Sequence, residues 1–385
     1  MSLLVTVTGR DHPGVTAALM DVLTRHGATV EDVEQVVVHG RLLLGVVIAG
    51  EGSGTEVKTD LSRAATEMGV VVEFTPLDEA EPAAAVRHHV VVLGAPLPPA
   101  ALAGVTRRLA ACGANIERVV RLSSWPAQSF ELVVAGGDTA RLRHELALEA
   151  VAQQVDVAVE KASIYRRAKR LVVMDVDSTL VQGEVIEMLA AEAGCLQEVA
   201  RVTASAMAGE LDFEASLRAR VALLEGLPLE AVDRVRAAVR LSPGARTLVR
   251  TLKRLGWTVG IVSGGFTAVT DDLRAELGLD HAVANVLEVL DGKLTGSLVG
   301  PVIDRAAKAA ALRRFALEED LLPEQTVAIG DGANDLDMLE AAGLGIAFNA
   351  KPVVRDAADA ALSVPFLDAV LFLLGIPREE VEQAT

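Results

Sequence analysis

The sequence is short of cysteine, of positive charge and of long apolar runs, and each shortage excludes something. Its two cysteines, Cys112 and Cys195, are too few for a disulfide framework and match no metal-ligand spacing, so each reads as a small buried hydrophobe. Against 53 acidic residues stand 36 Lys and Arg, a formal net charge of −17. That balance excludes non-specific nucleic-acid binding, which needs clustered cations to displace counterions. It also means that an anionic substrate needs a local positive patch to draw it in. The most apolar stretches, Leu42 to Ala49 and Ala369 to Gly375, fall far short of the ~20 residues that span a bilayer, so no membrane partner is expected. The N-terminus, Met1 to Thr8, has no basic region and alternates like a strand. No signal peptide is expected there, and a cytoplasmic, reducing setting follows.

What is present suffices for two or three domains, since 385 residues exceed what one core of ~150 residues spans. Apolar residues make up 51% and charged residues 23%, the balance of an ordinary globular chain. The first 165 residues contain a repeat. A shift of 86 positions lays Pro13 on Pro99, Gly27-Ala28-Thr29-Val30-Glu31 on Gly113-Ala114-Asn115-Ile116-Glu117, and Gly50 on Gly136. Each copy reads strand, helix, strand, strand, helix, strand, with a hairpin turning at His39-Gly40 in the first. Pro76 to Ala85 is polar, carries two prolines and has no period, so it reads as a linker. The expected domains are therefore 1–76, a linker over 77–87, 88–165, and 166–385.

After Lys161 the pattern changes to strands alternating with long helices, which predicts a parallel α/β sheet. A block of helices from about 185 to 241 interrupts it and is sized to form a lid. Three short apolar strands each run into polar residues: Leu171 to Met174 into Asp175-Val176-Asp177-Ser178-Thr179, Val259 to Val262 into Ser263-Gly264-Gly265-Phe266-Thr267, and Val327 to Ile329 into Gly330-Asp331-Gly332-Ala333-Asn334-Asp335. In open α/β sheets the ligand lies beyond the carboxyl ends of the strands, so these segments are expected to converge. Four carboxylates meeting there repel one another unless a divalent cation intervenes. With no His or Cys nearby, a hard, oxygen-ligated ion such as Mg²⁺ fits. The Ser263 turn can aim N–H groups and a hydroxyl at an anion, and Lys308 can supply a cation. Together these parts describe phosphoryl transfer, with a carboxylate available as nucleophile.

In this order the segments resemble the haloacid dehalogenase superfamily of phosphohydrolases, and within it the phosphoserine phosphatase family, over Arg170 to about Pro377. The resemblance implies a Rossmann-like parallel sheet with a helical cap and hydrolysis of O-phospho-L-serine, the last step of serine biosynthesis. It implies Asp175 as the nucleophile that becomes an aspartyl phosphate and Asp177 as acid and base. Mg²⁺ is then held by Asp175, the Asp177 carbonyl and Asp331, with Thr179 and Asp335 in support. Ser263, Gly264 and Lys308 hold the phosphoryl group, Asn334 contacts it or a metal-bound water, and Glu184, Met207, Phe213 and Arg220 bind the rest of the substrate. The repeats resemble ACT domains, small α+β ferredoxin-like modules that bind amino acids. That implies a homodimer with free serine as effector, and Asp11 and Gly14 as effector contacts. The second copy reads Leu97-Pro98-Pro99-Ala100 at the matching place and has lost both residues, leaving Gly104 as its candidate. Two alternatives stay open: the same chemistry, or a phosphomutase, on another small phosphorylated metabolite; and an amino-acid sensor whose phosphatase domain only signals.

Overall fold

Alternation along the first strand decides which face of the first sheet is buried. In β1 (Ser2–Arg10) the inward residues are Leu3, Val5 and Val7, and in β3 (Arg41–Ala49) they are Leu42, Leu44, Val46 and Ile48, the period of two expected of a half-buried strand. Helix α1 (Val15–Arg25) turns Val15, Leu19, Val22 and Leu23 onto this face, and α2 (Thr55–Glu67) adds Val57, Leu61 and Ala65, the i, i+4, i+7 stripe of an amphipathic helix. With β2 (Thr29–Val38) and β4 (Val70–Leu77), the antiparallel order is β2-β3-β1-β4. The computed structural model describes residues 2–49, 54–77, 86–207 and 210–383. It divides into two compact units, residues 1–84 and 85–385. The expected linker is shorter at its start, because Pro76 and Leu77 pair with Leu3 and Ser2 in β4. That strand lies at the sheet edge, where a residue without an N–H is tolerated. Residues 78–85 of the linker lie outside the described residues.

The second unit opens with the repeat: β5 (Arg87–Gly94), α3 (Pro99–Ala111), β6 (Ala114–Ser123), β7 (Gln128–Gly136), α4 (Thr139–Gln153) and β8 (Asp156–Lys161), with strands ordered β6-β7-β5-β8. It matches the first copy element for element. Gly104 is buried on α3, and a Cβ there would lie 2.1 Å from Glu149 Oε1 of α4. Glu149 is itself fixed by Arg108 at 3.0 Å and Gln153 at 2.9 Å, so Gly104 lets the two helices close up.

After α5 (Ile164–Arg167) come β9 (Leu171–Met174) and four helices, α6 (Val185–Ala193), α7 (Leu196–Met207), α8 (Phe213–Ala222) and α9 (Leu229–Ala238), which form the expected cap. Then follow α10 (Ala245–Arg254), β10 (Thr258–Phe266), α11 (Thr267–Leu277), the hairpin β11 (His281–Leu290) and β12 (Lys293–Val299), α12 (Arg305–Glu318), β13 (Thr326–Gly330), α13 (Leu336–Ala341), β14 (Leu344–Phe348), α14 (Pro352–Ala357), β15 (Ala360–Leu362), α15 (Val370–Leu373) and α16 (Arg378–Gln383). Strands β11, β10, β9, β13, β14 and β15 run parallel in that order. Strand β9 sits between β10 and β13, so the three strands that end in polar residues are neighbours at the point where the strand order reverses.

The hairpin β11–β12 was not among the sequence expectations. It ties the cap to the sheet through Gly226 N–H to Leu294 O at 2.8 Å and Leu294 N–H to Leu227 O at 2.9 Å. At the opposite edge β15 pairs antiparallel with β8 at Ala360 and Ala158. Among the described residues this makes one sheet of eleven strands. The expected junction at 165/166 thus falls inside one compact unit. Among the described residues, no helix is long and apolar enough to cross a membrane.

Candidate active site

Where β9 ends, the chain breaks from strand into a tight turn in which Ser178 takes φ 57. Asp175 follows the last apolar residue and is almost fully buried. Its Oδ1 accepts from the Val176 N–H at 2.8 Å and from Lys308 Nζ at 2.7 Å. Lys308 reaches in from α12, whose start is fixed by Asp304 accepting from the Ala307 N–H. Its Nζ also lies 2.7 Å from Asp335 Oδ1. Asp335 is anchored in turn by the N–H groups of Asp331, at 3.2 Å, and Gly332, at 3.0 Å, on Oδ2. Its carboxylate fills the space beside Gly330, where a Cβ would come within 2.5 Å of it. That is why the third strand ends in glycine. Thr179, buried on the first loop, donates to Asp331 Oδ1 at 3.1 Å, joining the first and third loops directly.

Electrostatics follow from burying so many acids together. Burial, then the Asp335 charge, pushes the Asp175 carboxyl well above the usual carboxylate range, with Lys308 opposing. Burial and Asp335 raise Asp331 to about 6. Burial lowers the Lys308 ammonium, but Asp175 and Asp335 more than reverse this and hold it charged. One carboxylate oxygen each from Asp175, Asp331 and Asp335 lie within 4.8 Å of one another. All three are hard oxygen donors in a place still short of positive charge, so the residues present fit a cation such as Mg²⁺. The Asp177 carboxylate points elsewhere, accepting from the Val185 N–H at 2.8 Å and from Ser263 Oγ at 3.2 Å.

A cavity of about 350 Å³ opens onto these groups. Asp175, Asp177, Glu184, Phe213, Arg220, Gly264, Asp331 and Asn334, all expected from sequence, line it. From the cap, the Phe213 ring lies over Gly264, 3.2 Å from where a Cβ would stand. Glu184 accepts from Ser178 Oγ at 3.0 Å, and burial, then the Asp177 charge, raises its carboxyl to about 7. Arg220 makes one bond, Nε to Ser216 O at 3.3 Å, and no ion pair among the described residues. Ser263 and Lys308 are fully buried and do not line the cavity: the Ser263 hydroxyl accepts from the Gly265 N–H at 2.8 Å and donates to Asp177. Met207 ends α7, and its side chain lies outside the described residues.

Family models match a haloacid dehalogenase-like hydrolase over residues 172–340 and ACT domains over 1–75 and 86–160. The chain is 55% identical to a phosphoserine phosphatase of Streptomyces coelicolor, over 100% of this chain and 94% of that protein. The chain belongs to the phosphoserine phosphatase family. It is also 50% identical to phosphoserine phosphatase SerB2 of Mycobacterium tuberculosis, over 100% of this chain and 95% of that one. The crystal structure of a probable phosphoserine phosphatase from Vibrio cholerae, unliganded, superposes with a TM-score of 0.60 at 36% identity, covering 77% of this chain and 89% of that one.

Of the effector candidates, Gly14 precedes α1 with φ 99, a left-handed backbone that starts the helix, and the exposed Asp11 donates its N–H to Gly40 O at 2.9 Å. Gly104 has the packing role described above. Sequence reasoning missed two kinds of residue at the active site. Asn285, buried in β11, donates to Gly264 O at 2.8 Å and accepts from the Ile303 N–H at 2.8 Å, fixing the Ser263 turn. A lone amide inside an apolar strand was the available signal. Lys351, Val353 and Val354 also line the cavity. They follow β14, a further apolar strand ending in Asn349-Ala350-Lys351.

Lys308→Met would leave the Asp175 and Asp335 carboxylates buried without their counter-charge. In chelator-treated protein we expect a loss of about 3–5 kcal/mol of stability, read as a lower thermal midpoint. Adding Asp335→Asn to the same chain should recover part of it. An unchanged midpoint would show that Lys308 is not what balances these acids.

Proposed function

We propose that the chain hydrolyses O-phospho-L-serine to L-serine and phosphate through an aspartyl phosphate on Asp175. The observation that carries this reading is the asymmetry of Asp175. Its Oδ1 is held by Lys308 and the Val176 N–H, while Oδ2 has no hydrogen-bond partner among the described residues and the residue lines the cavity. An oriented carboxylate with one free oxygen is what in-line attack on phosphorus requires. Asp175, Asp331 and the Asp177 carbonyl would hold Mg²⁺, which would neutralise charge building on the phosphoryl oxygens.

The leaving group is a serine alkoxide and needs a proton. Burial pushes the Asp177 carboxyl above its ordinary range, so it can hold a proton and give it to the departing oxygen. It then takes one from the water that opens the acyl phosphate, help worth about 10²–10⁴-fold. The Ser263 turn, fixed by Asn285, offers N–H groups to the phosphoryl oxygens. Arg220 brings an unpaired guanidinium fork to the cavity, which suits a substrate carboxylate, and Glu184 suits an ammonium. That pair favours an amino acid over a sugar phosphate. Phe213, over Gly264, excludes water from the phosphoryl site.

Serine formation makes the chain a cytoplasmic biosynthetic enzyme in this reading. The two ACT-like modules supply an amino-acid response, with free serine as effector and a homodimer as the working assembly. The matches to ACT models support that reading.

Phosphate release from O-phosphoserine with Mg²⁺ tests the activity. Asp175→Asn should abolish it, and full activity in that variant would remove the nucleophile. Arg220→Ala should cost about 1.5–3 kcal/mol in kcat/KM, a charge-assisted hydrogen bond, for phosphoserine but not for phosphoethanolamine, which lacks the carboxylate. Equal losses on both would deny Arg220 that role. Because Glu184 titrates at about 7, it is neutral below and charged above. The kcat/KM for phosphoserine relative to that for phosphoglycolate, which lacks the ammonium, should therefore rise with pH through 7. Glu184→Gln should flatten that rise, and a ratio that falls with pH in the unaltered chain would contradict the assignment.

A further inference from the structure

Charge in the active-site cavity runs against the substrate that the cavity would take. Asp175, Asp177, Glu184, Glu187 and Asp331 line it, in a chain whose formal net charge is −17. The phosphate of O-phosphoserine carries about −2, and its carboxylate and ammonium cancel. Such an anion enters against the field unless positive charge stands at the way in. Lys308 is fully buried and already taken up by Asp175 and Asp335. Arg220 is half-buried on the cap, in α8. The remaining cation on the lining is Lys351. It is exposed, and its side chain makes no hydrogen bond or ion pair among the described residues.

Its place follows from the sheet. Strand β14 pairs in parallel with β13, Gly330 opposite Ala347, so the chain leaving β14 comes out at the same edge of the sheet as Asp331. Leu362 O holds the Asn349 N–H at 2.7 Å, and Lys351 O accepts from the N–H groups of Val354 at 3.0 Å and Arg355 at 3.1 Å. Pro352 opens α14, and the buried Val354 pins that helix to the core. The backbone of Lys351 is thus fixed while its side chain stays in solvent. We propose that Lys351 is a recruiting residue: its ammonium draws the anionic phosphate ester into the cavity and lowers KM without entering the chemistry. A solvated, unpaired charge suits capture, whereas the charge needed beside the nucleophile is buried and paired, as Lys308 is. The inference rests on the phosphatase reading for its substrate, but the attraction itself acts on any small phosphate anion.

Hydrolysis of O-phosphoserine by the full chain with Mg²⁺, at about 0.01 M and about 1 M ionic strength, tests the role, because the screening length falls from ~30 Å to ~3 Å between them. At the lower strength Lys351→Gln should reduce kcat/KM about three- to tenfold, almost wholly through KM. Lys351→Glu should reduce it further, and Lys351→Arg should restore it. At the higher strength all four chains should agree within about twofold. Calorimetric titration with inorganic phosphate in Mg²⁺ reads the attraction without turnover, and Lys351→Gln should weaken that binding by a similar factor at low salt. An unchanged kcat/KM in Lys351→Gln at low salt, a loss that falls on kcat, or a loss undiminished in high salt overturns recruitment by charge. Phosphate binding that depends on Lys351, in a chain that never hydrolyses phosphoserine, would sink the proposed activity and leave the recruiting role standing.

Discussion

One buried ammonium organises the catalytic half of this chain. Lys308 lies between Asp175 and Asp335 with 2.7 Å to each, and those carboxylates belong to loops 160 residues apart in sequence. Without it, the ends of β9 and β13 could not bring their acids to one place, because like charges at such separations in a low dielectric repel by several kcal/mol. The ion pairs are a constraint more than a source of stability, since desolvating three charged groups offsets most of their attraction. What they secure is geometry. Asp175 is held by one oxygen and offers the other, and Asp335 in turn fixes the N–H groups of Asp331 and Gly332. The net charge of the cluster stays negative, which is the condition for a divalent cation to complete it.

Much of this was legible because strand and turn chemistry leave short-range marks. Four-residue apolar runs followed at once by Asp or Ser announce buried parallel strands that open into a ligand site, and the strand order then puts β9 between β10 and β13. The internal repeat was legible because glycines and prolines punctuate both copies at the same spacing. Glu184 and Arg220 could be placed by resemblance, though on sequence alone each looked equally like a surface helix charge.

What the sequence did not reveal depends on pairings it does not encode locally. The merging of the second repeat with the phosphatase sheet runs through β8 pairing with β15, where Asp156 meets Ser363, 207 residues away, and no periodicity foretells that. The burial of Ser263 and Lys308 behind the cavity wall is a matter of packing depth, which composition cannot show. Asn285 was hidden because a polar residue in an apolar strand is read as noise until its partners, Gly264 and Ile303, are known. The joined sheet also makes the second repeat part of the same framework as the phosphatase part.

The central claim, that Asp175 is the atom-bearing partner in phosphoryl transfer, is tested most directly by catching the covalent enzyme. Rapid acid quench during turnover of ³²P-labelled O-phosphoserine, followed by peptide mapping, should place the label on the peptide holding Asp175, in a hydroxylamine-sensitive acyl linkage. Turnover that leaves the protein unlabelled, or label on any other residue, would contradict the account.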